Sequence, residues 1–261
     1  MSEGSMKMKK FILAVVFALG FSHAAFAFSF SLDGNLSEWG VTPGTYGSSH
    51  WAPSSGVYWT EEDYEPGSHP QGFLNPGYGD QTFDAEAMYA AYDDTNLYFA
   101  IVTGFPLTGS NGYAPAPIAF DFGRDGSYEF GINVTGSSSG SLFHPDSWTD
   151  GLANWGAGWL GHVSYPISMI NAQLVFDPSA ANLVYNNAFY GATGHYVIEG
   201  FMPIGAFGSS NWNRDFSMHW TMTCGNDAIN LAVNTTPEPA SMALLAIGLV
   251  STVIARRKRK I

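Results

Sequence analysis

A chain of 261 residues leaves room for one domain of ordinary size, and a composition of 46% hydrophobic and 15% aromatic residues excludes a disordered polyelectrolyte. Between Phe28 and Thr236 stand twenty Asp and Glu against only Arg124 and Arg214, a formal charge of −18 for that stretch against −12 for the whole chain. Such a surface excludes nucleic acid as a partner, because holding phosphates takes Lys and Arg, and a lone Cys224 excludes an internal disulfide.

In chain order, Lys7, Lys9 and Lys10 precede an uncharged run from Phe11 to Phe21, and Ala25 and Ala27 supply the small residues that a signal peptidase reads. The pattern predicts a secretory signal peptide over residues 1–27, cleaved after Ala27. The apolar run is too short to cross about 30 Å of hydrocarbon. A secreted body without disulfides must be held by its core, by bound metal, or by both.

Residues 28–233 read as a single extracellular domain. Frequent Gly and Pro punctuate it at short intervals, a pattern of turns between short strands. Expected strands are Glu86–Tyr92 and Leu97–Thr103, joined by Asp93-Asp94-Thr95-Asn96, and Pro117–Phe122 and Ser127–Val134, joined by Gly123-Arg124-Asp125-Gly126. Further strands are expected at Trp159–Tyr165, Ala172–Phe176, Tyr196–Pro203 and Phe216–Thr223, with one helical turn near Met202–Phe207. Strands at this spacing without helical periodicity predict an all-β fold, a single antiparallel β-sandwich. Leu32-Asp33-Gly34-Asn35-Leu36-Ser37-Glu38-Trp39, the Ala87–Ala100 hairpin with its Tyr92-Asp93-Asp94-Thr95-Asn96-Leu97-Tyr98 core and the Ala119–Phe130 stretch together resemble the β-sandwich modules of carbohydrate-binding module family 9 and the DOMON superfamily. That resemblance implies a jelly-roll or DOMON-like sandwich, and a sugar site with it.

Several groups could carry chemistry. Asp121, Asp125 and Glu129 fall at i, i+4 and i+8 around Gly126, which suits either a tight turn or oxygen ligation of calcium, the one cofactor the sequence brings forward. Glu61, Glu62, Asp63 and Glu65 form the densest acidic run and read as a solvated face, with weak divalent-ion binding as the alternative. The histidines are scattered without H-x-H or H-E-x-x-H spacing, and no G-x-S-x-G marks a nucleophile, so nothing demands an enzyme. Sugar C–H faces stack on exposed indoles, which makes Trp148, Trp155 and Trp159 in a Gly-rich stretch the candidates for carbohydrate binding, against a packing role for each.

The chain closes with Pro237-Glu238-Pro239, sixteen uncharged residues from Ala240 to Ala255, and the basic run Arg256, Arg257, Lys258, Arg259, Lys260. The two prolines fix an extended stretch outside the helix. A helix over residues 240–255 covers about 24 Å, a short transmembrane span whose cations stay on the cytoplasmic side. This order resembles the PEP-CTERM sorting signal of Gram-negative bacteria, over residues 234–261. The resemblance implies processing by an exosortase, with Pro237, Glu238, Pro239, Arg256 and Arg257 as the sorting residues, transient anchoring in the inner membrane, and association with exopolysaccharide and biofilm matrix. Just upstream, the stretch from His219 to Asp227 is similar to one found ahead of the signal in that family. The expected function is therefore an exported, non-catalytic cell-surface or matrix protein; the alternative is a carbohydrate-binding module or glycan-active enzyme acting on envelope polysaccharide.

Overall fold

The structure is a computed structural model that describes residues 30–41, 51–62, 80–151, 166–178, 181–186, 195–225, 227–235 and 248. Its strands, in chain order, are β1 (Tyr58–Glu61), β2 (Ala85–Tyr92), β3 (Asn96–Thr103), β4 (Ile118–Phe122), β5 (Phe130–Ile132), β6 (Leu142–His144), β7 (Ser147–Asp150), β8 (Pro166–Ile170), β9 (Gln173–Phe176), β10 (Leu183–Asn186), β11 (Tyr196–Pro203), β12 (Phe216–Thr221) and β13 (Ala228–Val233). One sheet runs β1-β2-β3-β11-β10 and a second β13-β12-β4-β5-β6-β9, while β7 and β8 form a separate ribbon. Neighbouring strands pair antiparallel throughout. Among the described residues, the helical pieces within the body are 3-10 turns at Asp80–Phe83 and Ile204–Phe207 and one turn of helix, α1 (Ser209–Trp212); Gly248, beyond it, is also helical.

The two sheets share one core. Met88, Ala90, Phe99, Ile101, Ile198 and Met202 of the first sheet pack with Phe120, Phe122, Ile132, Met218 and Trp220 of the second. The alternate residues of the first sheet, Tyr89, Ala91, Tyr98, Ala100, Val102 and Val197, face away and are buried under Leu36, Trp39, Val41 and Trp51. Burial on both faces is why β2 and β3 read as nearly continuous apolar runs rather than as clean alternation. The N-terminal segment thus adds a third layer to the sandwich.

The β2–β3 hairpin and β11 lie where the sequence places them, and β9 and β12 within a residue or two. The expected long strand Ser127–Val134 shrinks to Phe130–Ile132, because the preceding backbone is diverted into a carboxylate-held turn described below. Trp159–Tyr165 lies outside the described residues. Strands β1, β6, β7, β8, β10 and β13 were not legible; most are three to five residues long. No helix among the described residues is long and apolar enough to cross a membrane. Residues 1–27, and 240–255 apart from Gly248, lie outside the description, as do Ala25 and Ala27.

Candidate functional site

The hairpin between β4 and β5 brings a carboxylate oxygen from each of Asp121, Asp125 and Glu129 within 4.8 Å of the others. Asp121 builds the turn: the N–H groups of Asp125 and Gly126 donate to its Oδ1 and Oδ2 at 3.1 and 2.9 Å. Ser127 N–H donates to Asp125 Oδ1 at 3.0 Å, and Phe122 N–H to Glu129 Oε2 at 2.8 Å. Gly123 and Gly126 hold φ of +106° and +89°, a region that other residues enter at a cost. Arg214 stands 3.8 Å from Asp125 and 3.9 Å from Glu129. Burial raises the Glu129 pKa, against the opposing amide of Phe122. Every carboxylate here has a backbone donor, and two have a nearby guanidinium, so the turn is compensated by its own chain.

A second cluster is compensated only in part. Glu62 follows β1, Asp84 precedes β2 and Asp227 precedes β13, and one oxygen from each again lies within 4.8 Å of the others. Glu86 on β2 stands beside them; Glu86 and Asp227 are fully buried, and Asp84 is 4% exposed. Asp227 ties the two sheets together, accepting from Ala85 N–H through Oδ2 and from Ala228 N–H through Oδ1, both at 2.7 Å. Its carbonyl oxygen accepts from the Thr221 hydroxyl. Glu86 Oε1 accepts from the Gln81 amide and lies 3.1 Å from His195 Nε2, whose ring meets Trp51 edge-on. The Asp84 carbonyl accepts from Thr103 Oγ1 and Gly104 N–H, yet neither Asp84 side-chain oxygen receives a hydrogen bond from any described group. Burial first, and then the charges of Glu86, Asp227 and Glu62, push Asp84 up to about 11; burial pushes Asp227 up to about 6. Among the described residues no Lys or Arg side chain faces Asp84, so without a cation burial keeps its carboxyl protonated at neutral pH, beside Asp227.

Part of the acidic run read as a solvated face is therefore corrected. Glu62 is half-buried, with both carboxylate oxygens shielded from solvent, because its N–H donates to Glu86 O at 2.8 Å and carries the residue inward at the end of the β1–β2 ladder. Asp63 and Glu65 lie outside the described residues. Asp84, Glu86 and Asp227 were not singled out from sequence as ligands. The available signal was two acids, Asp84 and Glu86, inside an apolar strand run, where charge is costly.

A third group, Asp33, Glu38 and Glu199, explains the Asp-Gly…Trp opening of the body. Glu199 of β11 accepts from Trp39 Nε1 at 2.8 Å, from Gly34 N–H at 2.8 Å and from Asp33 N–H at 3.1 Å. Burial raises Glu199 to about 7, against those three donors. The motif is thus a latch that fastens the third layer to the first sheet.

Of the tryptophans proposed for sugar stacking, Trp148 on β7 is half-buried; its Nε1 donates to Tyr128 O at 2.8 Å. Its ring occupies the space that the missing side chain of Gly131 leaves, where a Cβ would come within 2.7 Å of the indole. Trp155 and Trp159 lie outside the described residues. Cys224 is buried in the shared core.

The body is clamped where it ends. Arg124 Nη2 donates to Val233 O and Asn234 Oδ1 at 2.7 and 2.8 Å, Tyr58 and Tyr92 hydroxyls donate to Asn234 O at 2.7 and 3.0 Å, and Thr235 N–H donates to Asp215 Oδ1 at 2.9 Å. Pro237, Glu238, Pro239, Arg256 and Arg257 follow outside the described residues. A search of curated proteins finds no match to the chain. Residues 235–260, however, match the family described as the PEP-CTERM protein-sorting motif. Directly behind the last strand of an antiparallel β-fold, the chain therefore carries a PEP-CTERM sorting motif, the mark of an exported protein with an exosortase as its processing partner.

Proposed function

We propose that this is a non-catalytic protein of the cell surface or extracellular matrix, exported by a signal peptide over residues 1–27, held transiently by a transmembrane helix over residues 240–255, and released by exosortase processing. The observation that carries the reading is the sorting motif at residues 235–260, joined without a linker to an acidic β-fold. The clamp on Val233, Asn234 and Thr235 supports it, because it fixes the end of the described body where the sorting motif begins. A strongly negative body suits the company of neutral or calcium-bridged exopolysaccharide, and no G-x-S-x-G motif marks a nucleophile in the sequence. Deleting residues 237–261 in the native host should move the protein from the envelope fraction into the periplasm or medium; envelope retention of the truncated chain at the wild-type level would contradict the sorting role.

A further inference from the structure

We propose that Glu62, Asp84 and Asp227, with Glu86 beside them, bind one calcium ion that staples the two sheets of the sandwich. Three observations converge on it. The oxygens lie within 4.8 Å of one another, inside the spread that ligands at about 2.3–2.6 Å from one ion can take. Asp84, 4% exposed, has both side-chain oxygens buried without a hydrogen-bond donor among the described residues, one of them in the cluster, and a carboxylate so placed stays ionised only beside a cation. The body also has no Lys or Arg to spare: between Phe28 and Thr236 the only ones are Arg124 and Arg214, the first committed to Phe216 O, Val233 O and Asn234, the second to Asp125 and Glu129, while His195 lies against Glu86.

The ligand chemistry selects the ion. All three ligating atoms are carboxylate oxygens, which suit a hard cation and disfavour zinc. The oxygens of Asp84 and Glu62 are shielded from solvent, which favours calcium over magnesium, since magnesium gives up its water reluctantly. The position gives the ion a structural task. Glu62 and Asp84 belong to the β1–β2 end of the first sheet and Asp227 to the β12–β13 turn of the second, so one ion would join segments that no disulfide can join in a chain with a single cysteine.

The full-length chain in detergent, stripped with EDTA, is melted with and without about 10 mM calcium. Calcium should raise the midpoint by about 5 °C or more and equilibrium dialysis should retain one calcium per chain at this site. Asp84→Asn should abolish the shift and melt in EDTA no lower than the wild type, Glu62→Gln should weaken it and serves should the first variant fail to fold, and Asp125→Asn should respond as the wild type does. The proposal is overturned if the wild type shows no shift, if Asp125→Asn rather than Asp84→Asn removes it, or if magnesium at the same concentration shifts the melt as far as calcium.

Discussion

The turn at Asp121–Glu129 and the cluster of Glu62, Asp84 and Asp227 each gather three carboxylates within the same 4.8 Å, and they meet the resulting repulsion in opposite ways. In the turn, backbone N–H groups do the compensating, with Asp125 and Glu129 also facing Arg214. In the buried cluster, Asp227 has two amides, but Asp84 has none for its side chain and burial penalises its charge heavily. Spacing in sequence therefore says little about which acids need a cation; the supply of donors decides it.

The largest effect should come from Asp227→Ala with calcium present. It strands the N–H groups of Ala85 and Ala228 and removes a ligand, at a cost of about 3 kcal/mol in urea unfolding. A loss under 1 kcal/mol would mean that the sheets are not joined there. Asp121→Ala should cost less, about 1–2 kcal/mol, since the N–H groups of Asp125 and Gly126 can turn to water once released. If it proved the costlier of the two, the ranking of the clusters would be reversed.

Acid sharpens the contrast from beside the turn, where the buried His219 ring packs against Tyr128 and its Nδ1–H donates to Asn230 Oδ1 at 2.8 Å. Burial lowers His219 to about 4, against the opposing bond to Asn230. Below pH 6.5 the unfolded chain takes up a proton that the folded chain refuses until about pH 4, so this group removes stability across that window, by up to about 3 kcal/mol at its lower end but by about 1–2 at pH 5. Glu199 works the other way: raised to about 7, it contributes stability at low pH that is lost as pH rises through 7. Comparing the wild type with His219→Gln isolates the first contribution; the variant should lose less stability between pH 7 and pH 5, and equal losses would contradict the assignment. The smallest effect belongs to Asp125→Asn, an exposed residue whose acceptor role survives the change, at under about 0.5 kcal/mol by chemical denaturation.

The same contrast shows what could be read from sequence. The β2–β3 hairpin was legible because Asp93 lies between two apolar runs and its carboxylate caps the turn, accepting from Thr95 and Asn96 N–H and from the Tyr98 hydroxyl. The Asp121 turn was legible because all its acids fall within nine consecutive positions. The buried cluster was not, because it depends on pairing: Ala85 and Asp227 meet across 142 positions through two different sheets. Short strands such as β6 and β7 carry too few residues for a period to emerge, and their identity comes from their partners. The sorting motif needed no fold at all, being contiguous, and is the part of the sequence reading that the family comparison matches.

Extracellular modules bind calcium at about 10⁻⁴–10⁻³ M, so a structural calcium fits the proposed extracellular role. The most direct test of the functional account is mass spectrometry of the chain recovered from envelope, medium and cytosol of the native host. The account predicts a product that begins at Phe28 and lacks residues 240–261 in the envelope or medium. Recovery of the intact 261-residue chain from the cytosol would contradict it.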